Sequence, residues 1–124
     1  HRQTRMLVII YSGKVLLEKR GPTGIWGGLW SLPELPLEAN ISKALQLRYH
    51  LECHTMRELP RFNHGFTHFS LAIFPLEIVP SKFPLRATEP GLMWLTLDDA
   101  IAAAIPAPVK RILNSVRVIH PINA

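Results

Sequence analysis

His64 and His68 stand four residues apart in "NHGFTHF", Glu34 closes the stretch "GPTGIWGGLWSLPE", and Cys53 is the one cysteine of the chain. These residue types serve metal binding, acid–base work and nucleophilic attack, but their setting argues against all three. Two histidines at i and i+4 lie side by side on one face of a helix, whereas on a strand they stand about 13 Å apart. Here the segment has strand composition, a glycine lies between them, and no third or fourth ligand is near, so no metal pair is expected. A single cysteine excludes an internal disulfide and any all-cysteine metal site. It reads as a small buried hydrophobe in a reducing, cytoplasmic compartment. The glycine-rich loop is open to two readings. Its glycines, Gly24 among them, let the backbone present amides to an anion, with Lys19 and Arg20 just upstream to add charge. Alternatively Trp26 and Trp30 are core anchors and the glycines make room for them; Trp30, in a strand, is then buried and Trp26 is the more exposed.

The elements that must position these residues follow from the pattern of apolar positions. At 124 residues the chain fits a single domain spanning 1–124 with one core. "RMLVIIY" and "KVLLEKR" are β-branched, apolar runs across Ser12-Gly13, which reads as a hairpin. "LWSLPE" gives a short third strand ended by Pro33. "ISKALQLRYHL", Ile41 to Leu51, has helical spacing after the cap residue Asn40. "ECHTMRELPRF" and "FTHFSLAIFPLEIV" return to strand composition, split near Asn63-His64-Gly65, with Pro75 marking an edge or a bulge. "GLMWLTL" is a further strand. Asp98 and Asp99 suit the first turn of a short helix over "AIAAAI" that stops at Pro106, and a last helix from Pro108 turns Val109, Ile112, Leu113 and Val116 inward. The class is α/β (α+β), a mixed sheet flanked by helices.

The charge balance of 14 Lys+Arg against 9 Asp+Glu, with a pI near 9.9, is a moderate bias toward polyanionic partners. Lys19, Arg20, Arg57, Arg61, Lys110 and Arg111 lie at turns or on an outward helix face, where phosphate contacts are easy and ordinary solvated charge is the alternative. No apolar run approaches the roughly 20 residues of a membrane span, and the short apolar stretch at the start does not make a signal peptide. The first residue is not methionine, and the chain is expected to be a piece of a longer protein.

Gly28 and Glu34 have the G-x5-E spacing that opens the Nudix box, the signature of enzymes that hydrolyse nucleoside diphosphate linkages. Where those enzymes carry R-E-U-x-E-E, this chain has Ser42-Lys43-Ala44-Leu45-Gln46-Leu47. Magnesium needs hard carboxylate oxygens, and Lys43, Gln46 and Leu47 supply none, so phosphoanhydride hydrolysis is not expected. Glu34 without metal partners reads as a solvated charge or a cap. A Nudix-like frame without its acids, preceded by "LLEKRGPTGIWGGLWSLPE" and joined to "LPRFNHGFTHFSLAI" and "MWLTLDDAIAAAIPAPVKRIL", resembles the C-terminal domain of MutY-type adenine DNA glycosylases. These base-excision repair enzymes remove adenine opposite 8-oxoguanine.

That resemblance implies a DNA partner, a duplex with A opposite 8-oxoguanine or A opposite G, and a monomeric domain without catalysis of its own, in a bacterial cytoplasm. It places the excision chemistry and a 4Fe-4S cluster in an N-terminal domain outside this chain, and no cofactor within it. It also assigns recognition to the Phe66-Thr67-His68 loop. Oxidised guanine carries an N–H donor at N7, so its reader needs a small acceptor there, and a hydroxyl suffices. The family uses serine; Thr67 keeps the oxygen but adds a methyl and stiffens χ1. Phe66 would wedge against or stack on the base pair, and His68, with His64 in the same segment, would reach backbone phosphate or orient the loop. Lys19, Arg20, Gly24 and Arg61 are the candidate phosphate contacts. Taken alone, the alternation of "FTHFSLAIF" makes the same residues ordinary strand side chains. Two other functions share the fold: a divergent Nudix hydrolase for oxidised nucleotides, and a protein-interaction module.

Overall fold

The computed structural model describes residues 2–82 and 89–119 of the chain. Its elements are β1 (Arg2–Tyr11), β2 (Lys14–Lys19), β3 (Trp30–Ser31), β4 (Glu34–Leu35), α1 (Ile41–Tyr49), β5 (Cys53–Glu58), β6 (Phe62–Gly65), β7 (Ser70–Pro80), β8 (Leu92–Thr96), α2 (Leu97–Ala102) and α3 (Ala107–Ile119). Among the described residues two compact units form, one from 2–11 and 33–82, the other from 12–32 and 89–119.

The first unit is built around β1 and β7, which run parallel from Arg2↔Leu71 to Ile9↔Ile78. Their β-branched and aliphatic residues are buried almost without interruption: Met6, Leu7, Val8 and Ile9 have no exposed surface, and neither do Ile73 and Ile78. Continuous burial is what a strand covered on both faces requires. β4 pairs antiparallel with β1, while β5 and β6 pair antiparallel with β7 one after the other along the same edge. The sheet is therefore mixed, as the sequence implies. Helix α1 starts where Asn40 accepts the Lys43 backbone N–H at 3.0 Å and ends two residues sooner than its apolar pattern suggests. His50 closes it in the left-handed region, φ 55°, and Leu45 and Tyr49 are its buried residues.

Two sequence expectations in this unit are corrected. Pro75 does not mark an edge strand, since β7 is flanked by β1 on one side and by β5 and β6 on the other; it does sit at an irregularity, where residues 59–61 face only 74 and 75 between the two ladders. Its missing N–H falls in the interval where β6, paired up to Ile73, hands over to β5, paired from Leu76, and its carbonyl accepts from Leu59 N–H at 3.1 Å. A proline is tolerated there because no ladder bond is lost. The break between strands also lies elsewhere. Asn63, His64 and Gly65 belong to β6, and the chain turns at 66–69 instead.

In the second unit β2 pairs antiparallel with β3 and β8. It follows Ser12 and Gly13, whose φ values of 50° and 75° are those of a type I′ turn. Helix α2 begins at Leu97, with Thr96 capping the Asp99 N–H at 3.2 Å and both acids in the first turn. It stops at Ala102, although the alanine run continues, because the Ala104 carbonyl accepts from Trp30 N–H at 3.0 Å and Ala103 is extended. A tertiary hydrogen bond outweighs propensity there. Helix α3 buries Val109, Ile112, Leu113 and Val116, the stripe its periodicity predicts. Trp26 and Trp30 are both half-buried, so the expectation of a core Trp30 and an exposed Trp26 is not met.

Candidate functional site

The hairpin of β6 and β7 carries the segment that the sequence singled out. Its ladder runs from Phe62↔Ile73 to Gly65↔Ser70, and Phe66 N–H donates to the Phe69 carbonyl at 2.8 Å, which leaves Thr67 and His68 as the two tip residues. Both are exposed. The tip is held by rings on one face of the hairpin. Phe66 and Phe69 stack with centroids 4.5 Å apart and planes at 17°, and His64 meets Phe66 edge-on at 4.9 Å and 81°. Such stacked and T-shaped pairs are the favoured aromatic geometries. Phe66 and His64 are half-buried in this cluster. The segment is thus a turn with a supported base, whereas strand alternation alone would have buried every second residue. A hydroxyl acceptor at Thr67 and an imidazole at His68 face solvent together.

One contact of this cluster has no local sequence signal. The Arg2 guanidinium lies over the Phe69 ring, 4.1 Å from its centroid. It arrives there because β1 is parallel to β7 and sets Arg2 beside Leu71, two residues past Phe69. Both Arg2 and Phe69 were missed by motif reasoning, since only the long-range strand register joins them.

The glycine-rich loop spends its polar backbone on itself. Gly28 N–H donates to Gly21 O at 2.8 Å, Leu29 N–H to Trp26 O at 3.1 Å, and Arg20 N–H to Leu29 O at 2.9 Å. Trp26 takes φ 58° and Gly24 φ 84°, and a side chain at Gly27 would sit 2.6 Å from the Pro22 carbonyl oxygen. Glycine is needed at 27 for close approach and at 24 for the left-handed backbone. Arg20 is drawn inward: its Nε donates to Ile25 O at 3.1 Å and its guanidinium lies 5.7 Å from the Trp26 ring. Lys19 is exposed, with its ammonium 6.0 Å from the Trp30 ring. Gly24 is exposed at the loop surface, and Arg61 is exposed with its guanidinium 5.2 Å from Phe74. Arg57 is committed to an ion pair with the buried Glu77 at 3.1 Å.

Glu34 is neither a solvated charge nor a cap. It is half-buried in β4, and the Thr4 hydroxyl donates to its Oε1 at 2.7 Å. The Arg48 guanidinium donates to its backbone carbonyl at 3.1 Å. On α1, Lys43, Gln46 and Leu47 all point to solvent. A cavity of about 440 Å³ beside α1 is lined by Ser42, Gln46, Cys53, His54 and Ser81 with Glu52 as its carboxylate. One carboxylate does not make the oxygen-rich shell that magnesium takes. Among the described residues no group of three or more His, Cys, Asp or Glu is placed to hold a metal ion. No helix among them is long and apolar enough to cross a membrane.

Comparison with known proteins gives this geometry a context. An adenine DNA glycosylase of Buchnera aphidicola subsp. Baizongia pistaciae is 25% identical over 111 residues, which cover 90% of this chain and 31% of that protein. The mouse adenine DNA glycosylase is 27% identical over 108 residues, covering 81% of this chain and 21% of its own length. The chain therefore spans less than a third of these relatives. Among solved structures, the C-terminal domain of mouse MUTYH in complex with human PCNA superimposes with a TM-score of 0.74 at 21% identity, covering 98% of this chain and 90% of that one. The NUDIX domain of Shewanella oneidensis NrtR, complexed with ADP ribose, matches with a TM-score of 0.74 at 16% identity, over 94% and 86% of the two chains. At such identities the likeness is one of fold. The NUDIX domain profile matches residues 5–115, nearly the full length and both compact units, and the chain belongs to that family.

Proposed function

We propose that this chain is the Nudix-like, 8-oxoguanine-reading domain of an adenine DNA glycosylase, that it binds the duplex, and that it is not itself catalytic. The observation that carries the reading is the exposed Thr67 hydroxyl at the tip of a hairpin whose base is fixed by the Phe66–Phe69 stack. Guanine N7 faces the major groove, which admits a two-stranded β-ribbon, and oxidation turns that atom into a donor. A hydroxyl acceptor on a rigid tip matches it. His68, exposed beside Thr67, is in this reading the contact to the adjacent backbone, and the exposed Lys19, Gly24 and Arg61 are its candidate phosphate contacts. Arg20 is held by its own loop and is the weaker candidate of the set. Phe66, engaged with Phe69 and His64, acts in this reading as the support of the tip.

The relatives named adenine DNA glycosylases support the parent activity, and the part of their length outside this chain is where base excision belongs. A 4Fe-4S cluster needs four thiolates, and this chain holds one cysteine, so the cluster is assigned to that other part as well. The whole protein would act in the cytoplasm of a bacterium, with this domain as a monomer. The rival reading, a Nudix hydrolase of oxidised nucleotides, is disfavoured by Lys43, Gln46 and Leu47 at the metal-ligand positions of α1.

The test is the affinity of the encoded protein for duplexes with A opposite 8-oxoguanine and A opposite guanine, with and without Thr67→Ala. A loss of about 1–2 kcal/mol confined to the oxidised duplex is expected, the size of one hydrogen bond to a base edge. Equal losses on both duplexes, or none, would overturn the reading.

A further inference from the structure

The arginines of the described residues are committed in different ways. Arg57 and Arg117 donate to the carboxylates of Glu77 and Asp98 at 3.1 and 2.8 Å, and Arg5 stands 3.9 Å from Glu58. Arg20 and Arg48 donate to the carbonyls of Ile25 and Glu34. Arg2 is engaged through a ring instead. It is exposed, no carboxylate among the described residues is ion-paired with it, and its 4.1 Å approach to Phe69 is closer than that of Arg20, Arg48 or Arg61 to its own ring. No Asp or Glu occurs between Glu58 and Glu77, so the paired stretch from Phe62 to Ile73 and its tip carry no negative side chain.

A stacked guanidinium uses its face and leaves its N–H groups, which lie in its plane, directed outward. Stacking also fixes the fork before a partner arrives, so less rotamer freedom is lost when it binds an anion. Phe69 directly follows the tip residue His68 and stacks on Phe66, so the cation is tied through two rings to the turn that presents Thr67. We propose that Arg2 is a phosphate-contacting residue beside the reading turn: Phe69 holds its guanidinium near the tip, and the fork donates to a phosphodiester oxygen of the duplex whose base Thr67 reads. This rests on the DNA-facing role of the Thr67 tip. It assigns affinity to Arg2 and selectivity to Thr67.

The test is the salt dependence of DNA binding by the encoded protein, with Arg2→Met, Arg2→Lys and Thr67→Ala compared on duplexes with A opposite 8-oxoguanine and A opposite guanine. Arg2→Met is expected to weaken both duplexes by the same factor and to lower the slope of log affinity against log salt by about 0.9, one phosphate contact. Arg2→Lys, which keeps the charge, should retain most of the slope. An unchanged slope in Arg2→Met overturns the inference, even if affinity or thermal stability falls, because a purely structural buttress does not release counterions. The two readings fail separately. A selective Thr67→Ala with an unchanged Arg2→Met slope leaves the lesion reading standing and removes this one. A non-selective Thr67→Ala with a lowered Arg2→Met slope does the reverse.

Discussion

Phe66 and Phe69 face each other across the end of the β6–β7 hairpin, 4.5 Å apart and nearly parallel, and one backbone hydrogen bond of 2.8 Å joins the same two residues. The pair fixes the turn from both its main chain and its side chains, so the two residues between them are displayed with little freedom.

Removing one ring should loosen this support. Phe66→Ala is expected to destabilise the fold by about 1–2 kcal/mol, the sum of a half-buried ring and its stacking partner. Urea unfolding monitored by far-ultraviolet dichroism measures it. Phe66→Leu, which keeps apolar volume but not the stack, should recover about half the loss.

Two glycines of the loop before β3 should respond for different reasons. At Gly27 an added Cβ would lie 2.6 Å from a backbone oxygen, so Gly27→Ala forces the main chain to move. At Gly24 nothing lies within 4 Å, and the cost comes from φ 84° alone. Gly24→Ala should cost about 1 kcal/mol, and Gly27→Ala more, about 2–3 kcal/mol, as for overpacking in a fixed frame. Thermal unfolding of the two variants side by side gives the order.

Glu77 is buried in β7 with Arg57 as its partner, whose own side chain is half exposed. Arg57→Met leaves a buried carboxylate with one hydrogen bond fewer and should cost about 1–2 kcal/mol. Converting Glu77 to Gln in the same background removes the buried charge and should return part of that loss, which a double-mutant cycle measures.

Burial pushes the Cys53 thiol above its ordinary value. The folded state thus favours the neutral thiol, and the thiolate that alkylating agents attack is scarcer than in the unfolded chain. Iodoacetamide modification at a pH of about 8 should be slower for the folded chain than in urea. The sign of the linkage is that this group's contribution to stability is complete below the unfolded value and is lost as pH rises through the folded one. Alkylation rates against pH, followed by mass spectrometry, would show the gap closing at alkaline pH.

Magnesium should find no purchase on α1. With Lys43, Gln46 and Leu47 exposed in place of acids, incubation with nucleoside diphosphate derivatives and magnesium is expected to give no hydrolysis above background, read by phosphate release.

Much of the molecule is legible in the chain itself. Apolar runs set β1, β2 and β7, the Asn40 cap and the acids Asp98 and Asp99 sit at helix starts, and the stripe Val109, Ile112, Leu113 and Val116 fixes the inner face of α3. These signals are local: hydrophobic period, capping hydroxyl or amide, and turn dipeptide each act within a few residues. The replaced acids of the Nudix box are equally local, and their loss at Lys43, Gln46 and Leu47 is read from residue identity alone. What the chain could not settle was decided by pairing between distant strands. Pro75 sits inside the sheet because β6 and β5 meet opposite it, and the turn falls at 66–69 because the ladder closes at Gly65↔Ser70. Thr67 is exposed for that reason, and Arg2 meets Phe69 only because β1 lies parallel to β7. Strand register is an energy of the whole sheet, in which a shift by one residue moves every side chain to the other face, so no short window of sequence holds it.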